Sequence, residues 1–98
     1  MKVDFSKISI KPTVEGEPVV LDLTKEVGNL VYGRTSDIAV SDFGKKIYYS
    51  KGSIEVSEGM GKSISGIVRD SSYVAPVKCV LLELLTPKTN KNGNNDNQ

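Results

Sequence analysis

The last hydrophobic run of the chain, Val74 to Leu85 (VAPVKCVLLELL), limits what the rest can fold into. Only Lys78 and Glu83 interrupt it. It is too short to span a bilayer, which takes about 20 residues, so it must find its cover within protein. A short apolar run leaves a strand over Lys78 to Leu82 open. Pro76 and the leucines favour a helix, because a missing N–H costs little in a first turn. Ser72 is the expected N-cap, and Pro87 stops the helix. Val77, Val80, Leu81 and Leu84 share one stripe, and Leu82 and Leu85 widen it past half the circumference. The spacing predicts a helix buried on most sides, with the other elements gathered around it.

Upstream, Phe5 to Leu23 reads as a β-hairpin. Ser9 and Lys11 alternate with Ile8 and Ile10, and Val19, Leu21 and Leu23 alternate with Val20 and Asp22. Glu15-Gly16-Glu17 is the turn signal, with Gly16 suited to a positive φ. Pro12 and Pro18 flank it as strand-end residues. Thr24 is the expected N-cap of a helix from about Lys25 to Tyr32 that Gly33 ends, and Gly28 inside it allows a close contact with another element. A second helix is expected from about Val40 to Ser50, capped by Ser41 or Ser36. Ile54 and Val56 alternate with polar residues as a short third strand. Ser57 caps a third helix over Glu58 to Arg69, and the C-terminal helix returns against it as a helical hairpin.

The chain of 98 residues is therefore expected to be one α+β domain over 1–85: an N-terminal hairpin and a short third strand packed against about four short helices. Residues 86–98 (TPKTNKNGNNDNQ) contain no apolar side chain and are Asn-rich, which predicts a disordered tail. No internal repeat is evident. The expected core is Phe5, Ile8, Ile10, Val19, Leu21, Leu23, Leu30, Val31, Phe43, Ile47, Ile64, Ile67, Val68, Val77, Val80, Leu81 and Leu84. Burial of such side chains contributes about 1.5–3 kcal/mol each before entropy is counted.

Several chemistries are excluded. There is no histidine, which removes Ser-His-Asp and Cys-His nucleophilic systems and histidine metal sites. The single cysteine, Cys79, rules out an internal disulfide or a zinc finger within one chain. It lies in the apolar run and is expected to be a buried, reduced thiol. That fits a reducing compartment. Lys2, Asp4, Ser6 and Lys7 leave no apolar leader segment, so a cytoplasmic location is expected. Gly59-Met60-Gly61-Lys62-Ser63 resembles the end of a phosphate-binding loop, but its required first glycine falls at Val56. The carboxylate pairs Glu15/Glu17 and Asp37/Asp42 are loop and cap residues, and no D-x-D-x-D-G pattern for calcium occurs. No catalytic residue, metal ligand or cofactor is expected, and the chain reads as a protein other than an enzyme, without a small-molecule substrate or a membrane.

An interaction role is what this leaves. Thirteen basic against twelve acidic residues give a net charge of +1, which does not point to a polyanion. Basic residues do lie next to aromatics in Arg34, Lys45, Lys46, Tyr48, Tyr49 and Lys51, a pattern suited to phosphates and stacked bases. The candidate interaction surface is Arg34, Lys45, Lys46, Tyr49 and Lys51. The leading expectation is a module that binds a protein partner or a second copy of itself. The alternative is a nucleic-acid-associated regulator that uses the same Lys/Tyr helix surface. The order of a hairpin, TKEVGNLVYGRTSD, DFGKKIYYSKGSIEVSEG and IVRDSSYVAPVK, over roughly Val3 to Leu85, resembles in layout the small uncharacterised proteins carried by phages, prophages and integrated mobile elements. That resemblance implies a role in particle assembly or accessory regulation. It carries over no functional residue.

Overall fold

The computed structural model describes residues 1–86. The disordered tail expected from the sequence lies outside the described residues, except for Thr86. Four strands and four helices follow in the order β1 (Lys2–Asp4), β2 (Ile8–Ile10), β3 (Val19–Leu21), α1 (Thr24–Gly33), α2 (Ile38–Tyr48), β4 (Ser53–Glu55), α3 (Glu58–Arg69) and α4 (Ala75–Leu85). The fold class is α+β, as expected. The strands form two separate antiparallel pairs. β2 and β3 make the hairpin, with Ile8 opposite Leu21 and Ile10 opposite Val19. β4, the expected third strand, does not join it. It pairs instead with β1, Lys2 opposite Glu55 and Asp4 opposite Ser53. β1 escapes sequence reading because its alternation lasts only three residues, Lys2-Val3-Asp4. Two bonds between Met1 and Val56 extend this ladder, at 2.7 and 3.1 Å, and the Met1 ammonium reaches Glu55 at 2.7 Å.

The turn of the hairpin closes through Gly16 N–H donating to the Thr13 carbonyl at 3.3 Å. A Cβ on Gly16 would crowd the rotatable Thr13 hydroxyl, while the Thr13 carbonyl oxygen lies 3.9 Å away. The φ of Gly16 is not in the left-handed region.

Capping differs in three places from the sequence expectation. Thr24 is the first residue of α1, and the Asp22 carboxylate accepts from its N–H and its hydroxyl at 3.0 and 2.7 Å. Asp37 caps α2, accepting from Ala39 N–H at 2.9 Å and Val40 N–H at 3.3 Å, so that helix starts two residues early and neither Ser36 nor Ser41 is its cap. Carboxylates and hydroxyls compete for caps on nearly equal terms, which is why sequence alone ranks them poorly. Ser72 does not cap α4. Val74 holds that position without a side-chain bond, and Ser71 links α3 to α4 by donating to the Val68 carbonyl and accepting from Tyr73 N–H. Ser57 caps α3 as expected, through Met60 N–H at 3.1 Å.

The core gathers Val3, Phe5, Ile8, Ile10 and Leu23 with the inward residues of α1, α2 and α3 (Val27, Val31, Val40, Ile47, Ile64 and Val68), and with Val56, Leu81 and Leu85. α4 is covered less completely than expected. Only Leu81 and Leu85 are fully inside, Leu84 is 41% exposed, and Cys79 lies on the outer face rather than in the core. Positions 81 and 85 are one turn apart and define the packed line; Cys79 falls well away from it at 100° per residue. Val19 and Leu21 are also exposed, because β3 overhangs the core at the sheet edge. Among the described residues no helix is long and apolar enough to cross a membrane.

Candidate functional site

α1 and α2 carry the same local pattern: Gly28-Asn29-Leu30-Val31-Tyr32 and Gly44-Lys45-Lys46-Ile47-Tyr48. The shared spacing is Gly-x-x-x-Tyr, too short to be an internal repeat of the chain. Val31 and Ile47, the fourth residue in each, are fully buried and anchor their helices. The two glycines then meet the opposite backbone. A Cβ on Gly28 would stand 2.7 Å from the Tyr48 N and Cα, and one on Gly44 would stand 2.5 Å from the Tyr32 N. Each helix thus receives the backbone of the other's tyrosine where a larger residue would hold it off. Because 28 meets 48 and 44 meets 32, the helices run antiparallel. The close contact expected at Gly28 is this one.

The crossing sets the tyrosine side chains to either side of a shallow groove of about 260 Å³. The first, second and fifth residues of both patterns line it, joined by Tyr49. Tyr32 is 50% and Tyr49 72% exposed, a large aromatic area left in water. Tyr48 and Tyr49 stack edge-to-face with ring centroids 4.9 Å apart, a favoured aromatic geometry that holds both in place.

Two lysines complete the rim, again reciprocally. Lys25 of α1 places its Nζ 4.1 Å from the centre of the Tyr48 ring of α2 and donates to the Tyr48 carbonyl at 3.2 Å. Lys45 of α2 places its Nζ 5.9 Å from the centre of the Tyr32 ring of α1. Such contacts stabilise exposed pairs by about 0.5–1 kcal/mol each. They fix the direction of two otherwise mobile charges. Among the described residues, no acidic side chain lines the groove.

Of the five residues singled out from sequence, Lys45 and Tyr49 line this groove. Lys46 turns to Phe43, its Nζ 5.7 Å from the ring centre, and Lys51 follows the end of α2. Arg34 lines a different hollow of about 460 Å³ with Glu26 and Tyr73. There, burial pushes the Tyr73 phenol above its ordinary pKa, and the neighbouring Glu26 charge adds to the shift. Sequence reasoning missed Tyr32, Asn29 and Lys25. The repeated Gly-x-x-x-Tyr spacing is the signal that finds Tyr32 and Asn29.

The stretch resembling a phosphate loop has a packing explanation. Gly59 to Ser63 lies inside α3, and a Cβ on Gly61 would stand 2.8 Å from the Leu85 carbonyl oxygen. The glycine lets α4 approach α3. Among the described residues no group of three His, Cys, Asp or Glu side chains is placed to hold a metal ion. No family model matches the chain, and neither the curated proteins nor the solved structures contain a match to it.

Proposed function

We propose that the protein is a non-enzymatic interaction module that docks a partner protein through the α1–α2 groove. One observation carries this reading: Tyr32 and Tyr49 stand exposed on a helix pair locked by backbone contact at Gly28 and Gly44. Tyrosine is enriched among residues that dominate binding energy, because it brings a large rigid surface at low entropic cost. A rigid platform lowers the ordering cost of association. An assembly role in a phage-type particle is the form of this function that the resemblance in layout implies.

The test replaces Tyr32 and Tyr49 by alanine. Both are exposed, so the variant should stay folded, with a melting temperature lowered only by the loss of the Tyr48–Tyr49 and Lys45–Tyr32 contacts. From cells that carry the natural gene, the parent should retain a partner in stoichiometric amount that the double variant loses. An unchanged set of co-purifying proteins contradicts the reading.

The second reading is nucleic-acid association. The observation in its favour is the pairing of Lys25 with Tyr48 and of Lys45 with Tyr32, which sets a cation beside a stacking surface twice. A gel shift at low salt separates the two, since phosphate contacts bind most strongly there.

A further inference from the structure

Resting on the docking reading above, we infer that the segment seated in the α1–α2 groove is acidic: a stretch of partner protein that sets carboxylates against Lys25 and Lys45, with an apolar or proline side chain next to them on the tyrosine rings. Charge is the first constraint on the occupant. Lys45 lines the groove and Lys25 stands over the Tyr48 ring at its rim, while no Asp or Glu is among the lining residues. A basic segment would bring like charges together; Asp22, which does not line the groove, already lies within the field of Lys25, so Lys45 is the cation that a carboxylate in the groove compensates most and Lys25 the second.

The geometry adds a second constraint. The two lysines belong to different helices, and each lies over the tyrosine of the opposite helix. The groove therefore offers two ammonium groups, each beside a ring. A ligand that matches it carries acidic groups next to apolar surface. The void of about 260 Å³ lies below the size of pockets that enclose small molecules, about 300–1,000 Å³. It suits one or two side chains of a longer segment.

A nucleic acid fits less well. Strand-tracking grooves continue a row of cations along the backbone. Here Lys46 turns to Phe43, Arg34 lies in another hollow, and the whole chain carries a net charge of only +1.

The experiment is an NMR titration of the full chain, followed on the rings of Tyr32, Tyr48 and Tyr49. The probes are a short Glu/Pro-rich peptide, the same peptide with Gln for Glu, and single-stranded oligothymidine. The acidic peptide should shift these signals in preference to the others, with binding that weakens as salt is raised. Lys25→Gln and Lys45→Gln should each weaken it by about two- to fivefold, the range for exposed ion pairs. Lys46→Gln should leave it unchanged, and circular dichroism should show all three variants folded. Equal binding of the Gln peptide overturns the acidic inference while keeping the groove as a docking site. Preferential shifts by oligothymidine overturn it in favour of nucleic acid. Silence from every probe overturns the inference alone, because loss of the partner in the tyrosine variant judges the docking reading separately.

Discussion

Replacing Gly44 by alanine tests the architecture of the site most sharply. On helix propensity alone this change in the interior of α2 stabilises by about 1 kcal/mol. The structure reverses the sign. The new Cβ would lie 2.5 Å from the Tyr32 N and 2.9 Å from both the Gly28 carbonyl oxygen and the Tyr32 Cα. To move from 2.5 Å to the 3.4 Å of ordinary contact, the helices must separate by about 0.9 Å. The obstructing atoms are backbone, so no rotamer change relieves them. Overpacking of this kind costs about 1–3 kcal/mol, and backbone contact puts it at the upper end. Set against the propensity gain, the net loss is about 2 kcal/mol. At about 4–8 °C per kcal/mol for a domain of this size, the melting temperature should fall by about 8–16 °C. Gly66→Ala in α3 is the control: nothing lies within 4 Å of its Cβ position, so it should stabilise by about 0.5–1 kcal/mol. Thermal melts by circular dichroism compare the two. If Gly44→Ala raises the melting temperature as Gly66→Ala does, the close crossing of α1 and α2 is refuted.

Asp37→Ala removes the α2 cap and should lower stability by about 0.5–2 kcal/mol in urea unfolding; no change would mean another group satisfies the Ala39 and Val40 N–H groups. Leu81→Ala should cost about 2–5 kcal/mol because Leu81 is fully buried, whereas Leu84→Ala, at 41% exposure, should cost far less. Equal losses would restore the deeply buried α4 expected from sequence. At the start of α1, the hydroxyl of Thr24, then its N–H, hold the Asp22 carboxyl below its ordinary pKa. Because the folded value is the lower one, this contribution is present at neutral pH and fades as acid carries the solution through the depressed value. Thr24→Val should raise the Asp22 titration midpoint seen by NMR, and an unmoved midpoint would remove the hydroxyl as the cause.

The elements that sequence reveals best are those whose signal is local and long. The alternation at Ile8 and Ile10, the cap at Ser57 and the glycine at 28 each state their role within a few residues. β1 depends on pairing with a strand about fifty residues away, which three residues cannot announce. Burial is harder still. Val19 and Leu21 face the same way as Ile10 and Ile8, yet they remain exposed because no element covers the hairpin edge. Cys79 sits in the densest apolar run and still faces outward, since the packed line of α4 follows Leu81 and Leu85. In the site, Lys45 and Tyr49 were readable as a basic residue near an aromatic. Tyr32 and Lys25 were not, because only the antiparallel crossing at Gly28 and Gly44 brings them to the same groove. Composition identifies the residue types of the surface, and tertiary contact decides which of them share it.

If the protein meets its partner at the α1–α2 groove, position-specific crosslinking in cells that carry the natural gene captures that contact. One variant has a photo-reactive residue at Tyr49, at the groove, and another has it at Val20, on the exposed hairpin strand at 65% exposure. A groove interface gives a discrete adduct with a second protein from position 49, suppressed by excess Glu/Pro-rich peptide, and none from position 20. Adducts from position 20 alone, whether with another protein or with a second copy of the chain, would contradict it and move the interface to the β3 edge.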